Sequence, residues 1–476
     1  MSKISGNVAE LLAALDGVIA IHTGQDGEQI EVLDEAALQG EATDRLAYSS
    51  VFGSREVKAA ARWILWTTAQ AVGLYPASIH DLYIAGGRGE FSNATTPAIN
   101  VRGMSYDFAR AVIRTAQGKN TKQFIFEIAR SEMGYTEQLP AEFSLTMIAA
   151  GLREGYRGPL FIQGDHQQLN AKKYKQDPEA ELAGLRKLIT SSIDAGFYNI
   201  DIDASTLVDL AKPTEAERQE LNYRHTAEMT ALIRELEPEG VTVSVGGEIG
   251  EVGTQDSTPE DLEAFMTGYI PALHELGDGL VGISKISVQT GTSHGGIVLP
   301  DGSIADVKLN LEALGELSAA ARRYGMGGAV QHGASTLPEE AFDKFPERNA
   351  IEVHLATAFQ TMIYDDLPDE FRERIYAHLA EHHQDERKPS MTDQQFYYTT
   401  RKRGFGPFKH DFWTLPQELK DTITAHLEAR FGLLFDKLGI SGKAELVERF
   451  VNPAPVAKSM PDSLRAALAS GAAAAD

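Results

Sequence analysis

The chain has no cysteine among its 476 residues. This absence excludes disulfide bonds, thiolate zinc sites and a cysteine nucleophile. Any transition metal must therefore be held by His, Asp or Glu side chains. No apolar run approaches the ~20 residues that span a bilayer, and Glu10 and Asp16 interrupt the apolar pattern of the first helix, which is therefore not typical of a signal peptide. These features predict a cytoplasmic protein.

Positive charge is also scarce. Lys and Arg number 44 against 68 Asp and Glu, which gives a net charge of −24. Such a balance argues against nucleic acid or an anionic membrane as the partner. A small anionic ligand would need a local concentration of positive charge, and the most basic stretch in the sequence is RKRGFGPFKHDFW, residues 401–413.

Short apolar runs alternate with helical patterns from residue 97 onward. The runs are at 97–101, 123–129, 159–165, 198–203, 241–250, 279–288, 327–332 and 349–355. Near-continuous apolar strands that alternate with helices predict a parallel sheet covered on both faces. Eight such units match the size of a closed (β/α)₈ TIM barrel, with a doubly wound open α/β sheet as the alternative.

The composition divides the chain into four parts. We predict an N-terminal helical extension over residues 1–95, a barrel over 96–366, a C-terminal helical extension over 367–453 and a flexible tail over 454–476. The N-terminal extension is interpreted as a cap or an oligomerisation arm, and we expect a homo-oligomer.

The region 285–336 contains two histidines in similar sequence contexts. His294 and His332 each end an apolar run and are each followed by glycine, with a helical pattern between the two runs. Both are therefore expected at carboxyl ends of parallel strands, where barrels place their chemistry. His354 has the same position on the next strand.

Carboxylates are predicted at the ends of the other strands: Asp165, Asp201, Asp203 and Glu248. Together they indicate a catalytic metal site with one open position, although a helix cap or a barrel-mouth hydrogen bond would explain some members singly.

Several of these segments resemble one family. GTSHGG at 291–296, QHGAS at 331–335, GDH at 164–166 and EIGEVG at 248–253 look like the motifs of the class II, metal-dependent ketose-bisphosphate aldolases. The resemblance to these fructose- and tagatose-bisphosphate aldolase-like proteins runs from about residue 97 to 360. It marks the chain as a divergent member.

The resemblance implies a role for each matching residue. His166, His294 and His332 would hold Zn²⁺, or another divalent transition ion such as Mn²⁺ or Co²⁺, with Glu248 as an alternative ligand. Asp165 would be the acid/base on the substrate hydroxyl, and Asp256 or Glu251 would form the enediolate. The expected substrate-contacting residues are Ser131, Asp203, Gly295, Gly333, Ser335, His354, Thr357 and Lys409.

The implied activity is that of an aldehyde-lyase. It would cleave an anionic ketose, phosphorylated or bisphosphorylated, into dihydroxyacetone or its phosphate and an aldehyde. The alternatives are an aldolase for a sulfonated or non-phosphorylated ketose, a metal-dependent barrel isomerase or hydrolase, and a non-catalytic barrel subunit. The sequence departs from the family pattern at positions expected near the substrate. His354 replaces an asparagine, and the loop after Glu248 is short.

Overall fold

The computed structural model describes residues 3–24, 27–250, 256–291, 299 and 309–471. It begins with a hairpin of β1 (Ile19–Gly24) and β2 (Gly27–Val32), followed by β3 (Leu74–Ala77). The remaining strands are β4 (Thr96–Asn100), β5 (Ile125–Ala129), β6 (Gly158–Gln168), β7 (Asn199–Asp203), β8 (Ser244–Glu248), β9 (Lys285–Val288), β10 (Ala329–Gln331) and β11 (Glu352–Leu355).

Strands β4 to β11 form a closed parallel barrel. Each strand pairs with the next in chain order, and β11 returns to pair with β4, with His354 opposite Ala98. The (β/α)₈ prediction is confirmed, and closure excludes the open sheet. Most of the barrel strands are buried over their whole length because helices cover the outside and side chains fill the inside. This explains why they were visible in the sequence as continuous apolar runs.

Helices precede, surround and follow this barrel. Those before it are Val8–Ala13, Glu35–Ala37, Thr43–Phe52, Arg55–Ala71 and His80–Gly87. Those between its strands are Ser105–Gly118, Arg130–Tyr135, Pro140–Arg153, Ala171–Gln176, Pro178–Asp194, Glu215–Arg218, Glu220–Leu236, Pro259–Leu276, Leu311–Arg323 and Lys344–Glu347. Those after it are Thr357–Asp366, Asp369–His382, Asp393–Thr400, Lys409–Trp413, Gln417–Lys437, Ala444–Phe450 and Asp462–Ala469. Across the described ranges, no helix is long and apolar enough to cross a membrane.

The N-terminal region also contributes to the sheet. Strand β3 pairs in parallel with the first half of β6, which β7 leaves unpaired because β7 joins β6 only from Gln163 onward. The side chain of Asn199 connects β7 to β3 and β6 through hydrogen bonds with the backbone of Ala77, Ile79 and Ile162. The sequence pattern predicts only helices in this region, so the structure adds β3 and the β1–β2 hairpin.

The C-terminal region returns to the mouth of the barrel. Tyr364 donates a hydrogen bond to the carbonyl of Arg401, and the Arg401 guanidinium bonds to Thr361. The ring of Phe405 fills the space beside Gly103, where an added Cβ would lie 2.1 Å from a ring carbon. These contacts fix residues 401–405 against the loop that follows β4. Farther along, Leu464 of the last helix is fully buried.

Candidate metal centre and active site

A cavity of about 540 Å³ opens at the carboxyl ends of the barrel strands. This volume is in the range of small-molecule sites. Its walls come from several elements, because each strand delivers its last inward-facing side chain to the same end. Acidic and histidine residues on the wall are Glu127, Glu132, Asp165, His166, His332 and His354, and basic residues are Arg102, Arg130, Lys173 and Lys402.

Asp165, His166 and His332 lie together at this end of the barrel. The two imidazole rings are 4.4 Å apart between centroids, and each of the three residues offers a donor atom within 4.8 Å of the others. The register between β6 and β7 shifts between Gly164 and Gln167, and His166 has a φ of +40°. A β-bulge at this point changes the direction of successive side chains, so that both Asp165 and His166 reach the cavity.

His166 is oriented from behind by Asp203. The Nδ1 atom of His166 lies 3.1 Å from an Asp203 carboxylate oxygen, and Ser205 donates to the other oxygen from its hydroxyl at 2.7 Å. Burial alone would raise the pKa of Asp203, but its hydrogen bonds with His166, Ser205 and Gln168 hold that pKa below its ordinary value. An ionised Asp203 fixes the imidazole with Nε2 directed toward Asp165 and His332.

His354 lies against His332, with ring centroids 3.9 Å apart. Its Nδ1 is 2.9 Å from Glu127 and 3.3 Å from Asp165, and its Nε2 is 2.6 Å from Glu352. Desolvation would lower the pKa of His354, yet the charges of Glu127 and Asp165 raise it well above the ordinary histidine value. The charged form of the ring is therefore favoured, and Nε2 is hydrogen-bonded to Glu352.

Glu127 is buried in the same wall. Desolvation, the nearby charge of Asp165 and that of Glu352 raise its pKa to about 7, against the opposing effect of His354. A carboxyl group that titrates near neutrality can both donate and accept a proton under working conditions. The sequence carried a signal for it, since Glu127 is the single charge inside the apolar run QFIFEIA.

Below the histidines, the barrel interior is ionic. The ammonium of Lys285 is fully buried and bonds to Gln163 at 2.7 Å, Glu352 at 2.6 Å and Asp201 at 3.0 Å. Tyr83, from the helix His80–Gly87, donates to the second oxygen of Glu352. The N-terminal region therefore closes the base of the barrel with a hydrogen bond to the residue that supports His354.

Of the residues predicted for the site, the structure brings most to one place. Glu248 lies 3.7 Å from Nε2 of His332. The cavity wall includes Ser131, Gly333, Ser335 and Thr357 in addition to Asp165, His166, His332 and His354. His294, Gly295 and Glu251 lie outside the described residues.

Besides Glu248, three predicted residues lie away from the described cavity wall. Asp203 is behind His166 and supports it. Asp256 accepts a hydrogen bond from Asn310 at 2.9 Å. Lys409 is bound to Glu142 at 2.7 Å and to the carbonyl of Glu137, because the turn at 404–408 directs it toward the helix Pro140–Arg153. Lys402 is the residue of this basic segment that reaches the cavity.

Comparison with known proteins identifies the family of the chain. The family model for fructose-bisphosphate aldolase class-II matches residues 90–403, about two thirds of the sequence. The chain belongs to the class II fructose-bisphosphate aldolase family. A search of curated protein sequences gives no significant match.

Solved structures share the architecture of this class II family member at low identity. The fructuronate-tagaturonate epimerase UxaE from Cohnella laeviribosi is 15% identical and has a TM-score of 0.54, with 90% of each chain covered. The YdjI aldolase from Escherichia coli K12 is 14% identical, with a TM-score of 0.47, 77% of this chain and 99% of its own covered. A fructose-bisphosphate aldolase from Campylobacter jejuni is 17% identical, with a TM-score of 0.46, and 77% and 94% of the two chains are covered.

The residues present suit a divalent transition ion. Two imidazoles and one carboxylate converge, and Glu248 supplies a further carboxylate beside His332. Nitrogen and oxygen donors of this kind match Zn²⁺, Co²⁺ or Mn²⁺, and a carboxylate behind a ligating histidine is the usual support for such an ion. In this class II family member, His166 and His332 would hold the ion.

We expect Asp203→Asn to weaken metal affinity about 10–100-fold, because an amide cannot hold the His166 tautomer as a carboxylate does. Competition with a chromophoric chelator measures the change. Asp209→Asn, on an exposed turn of the same connection, is the matched control and should bind metal like the unaltered protein. Equal affinities in both variants would contradict the assignment.

Proposed function

We propose that the protein is a metal-dependent aldehyde-lyase that cleaves and forms the C3–C4 bond of an anionic ketose. The single observation that carries this proposal is the convergence of His166, His332 and Asp165 on a sugar-sized cavity at the carboxyl ends of the strands. Family membership supports the reaction class. His294, by resemblance, is proposed as the third histidine ligand.

Cleavage requires removal of a proton from the C4 hydroxyl. The Asp165 carboxylate is the group proposed to accept it, and the charged His354 ring at 3.3 Å favours its ionised form. As C3–C4 breaks, its electron pair moves onto C3 and the C2 carbonyl oxygen, leaving an enediolate and an aldehyde. A divalent ion, when bound, supplies positive charge that stabilises those oxygens. Glu127, whose pKa is about 7, is proposed to deliver the proton that C3 then takes up.

A second candidate is a ketose 4-epimerase that uses the same bond cleavage but retains both fragments. Rotation of the aldehyde before the bond re-forms inverts the configuration at C4. Two observations favour this candidate: Lys402 brings the C-terminal region into the cavity wall, and the likeness to the fructuronate-tagaturonate epimerase extends over 90% of both chains.

Product analysis separates the two candidates. Protein loaded with zinc, manganese or cobalt is incubated in D₂O with ¹³C-labelled neutral, phosphorylated and carboxylated ketoses, and the products are followed by NMR. A lyase releases an aldehyde and a ketone that carries deuterium at the former C3. An epimerase gives a C4-inverted ketose without free fragments. No conversion of any ketose by metal-loaded protein would contradict both.

Metal dependence has its own test. We expect elemental analysis to find one divalent transition ion per chain, and chelation to abolish turnover until an ion is restored. Full activity in a His332→Ala protein without bound metal would contradict the proposal. The cytoplasmic location and the homo-oligomer remain predictions, to be tested by cell fractionation and light scattering.

A further inference from the structure

Two cations face the cavity from distant parts of the chain. Arg102 lies two residues after the end of β4, and Lys402 belongs to the C-terminal region. The guanidinium of Arg102 is held in place by Asn100 at 3.0 Å, Gln360 at 3.1 Å and the carboxylate of Glu132 at 2.7 Å. Its donors number five in all, so two N–H groups, one on each terminal nitrogen, are not used by these three partners.

Lys402 is placed at the cavity by its neighbours. Arg401 is anchored by Thr361 and by the ring of Tyr398 at 4.4 Å, and Phe405 is anchored beside Gly103. Within the described part of the chain, the Lys402 ammonium forms no hydrogen bond or ion pair, and it lies 5.9 Å from the centre of the Tyr135 ring. Burial, together with repulsion from Arg102 and Arg403, lowers its pKa.

Apart from the groups assigned to the reaction, Asp165, Glu127 and His354, the charges around Arg102 and Lys402 sum to one positive unit. Glu132 neutralises Arg102, Glu181 at 2.7 Å neutralises Arg130, and Glu386 at 3.0 Å neutralises Arg403, which leaves the charge of Lys402. Lys173 lies on the exposed rim, where solvent screens it. A carboxylate carries one negative charge, whereas a phosphate monoester carries about 1.5 to 2 at neutral pH and would leave part of its charge uncompensated.

We propose that Arg102 and Lys402 form a subsite for a terminal monoanion, and that the substrate is a ketose with a carboxylate at the end remote from the carbonyl. A carboxylate would accept two N–H groups of Arg102 and one from Lys402. This inference rests on the proposed function, since it assigns one end of the same cavity. A sulfonate has the same charge and is the other source of this chemistry.

Binding measurements on the full metal-loaded chain test the subsite without requiring turnover. Calorimetry is performed with tagaturonate, neutral tagatose, tagatose 6-phosphate and a 6-sulfonated ketose. We expect tagaturonate to bind at least about 10-fold more tightly than tagatose and than tagatose 6-phosphate, because charge-assisted bonds to a half-buried cation discriminate by this much. Comparison of the carboxylate with the sulfonate identifies the natural monoanion; tighter sulfonate binding would overturn the carboxylate assignment.

Variants then assign the effect to Lys402. Lys402→Met and Lys402→Gln should each lose about 10-fold in tagaturonate affinity while tagatose affinity stays within about 2-fold. Lys402→Arg should retain most of the preference. Lys172→Met, which removes a cation from the exposed surface outside the cavity wall, is the matched control and should change little. Thermal melting shows that the two neutral variants are folded, and a preference for carboxylate that survives in both would overturn the role of Lys402.

The outcome is separable from that of the proposed function. Tightest binding of tagatose 6-phosphate, or equal binding of neutral and anionic sugars, would overturn the monoanion subsite whatever the reaction is. Carboxylate-selective binding without cleavage or epimerisation in the NMR assay would leave the subsite standing and would contradict the proposed function instead.

Discussion

Asp165→Asn is expected to reduce turnover by about 10²–10⁴-fold while leaving metal bound, because general acid/base groups typically contribute this much. Asparagine is nearly isosteric with aspartate, so the cavity should keep its shape. The amide cannot accept the C4 hydroxyl proton, however. Single-turnover rates at saturating ketose measure the loss, and elemental analysis of the same sample reports the metal.

The companion variant is Asp256→Asn. Sequence reasoning offered Asp256 as a base, but its carboxylate is bound to Asn310 and does not line the described cavity. We expect its turnover to remain within about threefold of the unaltered protein, as for surface changes outside a site. A large loss in Asp256→Asn combined with an unimpaired Asp165→Asn would reverse the proposed roles.

The barrel could be predicted from sequence because each of its strands is an apolar run long enough to stand out between helical patterns. Strand β3 could not, since it has four residues, LYPA, one of them proline. Its position depends on the half of β6 that β7 leaves free, and this is a property of the closed barrel. The sequence of β3 itself does not indicate that this half of β6 is free to pair with it.

The residues proposed to bind metal could be predicted for a similar reason. His166 and His332 stand at strand ends within short motifs, and strand ends of a parallel barrel converge. The basic segment 401–413 was expected at the mouth of the barrel, with Lys409 as its substrate contact. That Lys402 reaches the cavity instead could not be predicted, because this contact joins positions about 300 residues apart and depends on how Phe405 packs beside Gly103. Lys409 is close to Lys402 in sequence, but the turn at 404–408 directs it away from the cavity, and it pairs with Glu142.

The sequence indicates the charged residues inside the barrel less clearly. Glu127, Lys285 and Glu352 each interrupt an apolar run, and side chains two residues apart on a strand face the same side. Glu352 and His354 therefore both face inward, which the alternation indicates once a barrel is assumed. Which charges meet across the interior depends on strand register, and that information came only from the structure.

Lys285→Met should destabilise the fold by about 3–5 kcal/mol, because it leaves buried carboxylates without their cation. The Lys285 ammonium is fully buried and lies within 3.0 Å of both Asp201 and Glu352. Methionine fills a similar volume, so the loss would be electrostatic more than steric. Chemical denaturation of metal-free protein, followed by circular dichroism, measures the shift in midpoint.

A double variant shows whether charge is the cause. Lys285→Met combined with Glu352→Gln removes one buried negative charge with the positive one, and we expect it to recover part of the lost stability, since replacing both partners of a buried pair is often nearly neutral. Lys344→Met breaks only an exposed pair with Glu347 and should cost less than about 1 kcal/mol. If Lys285→Met were no less stable than Lys344→Met, the interior lysine would not be the counter-ion that holds Glu352 beneath His354.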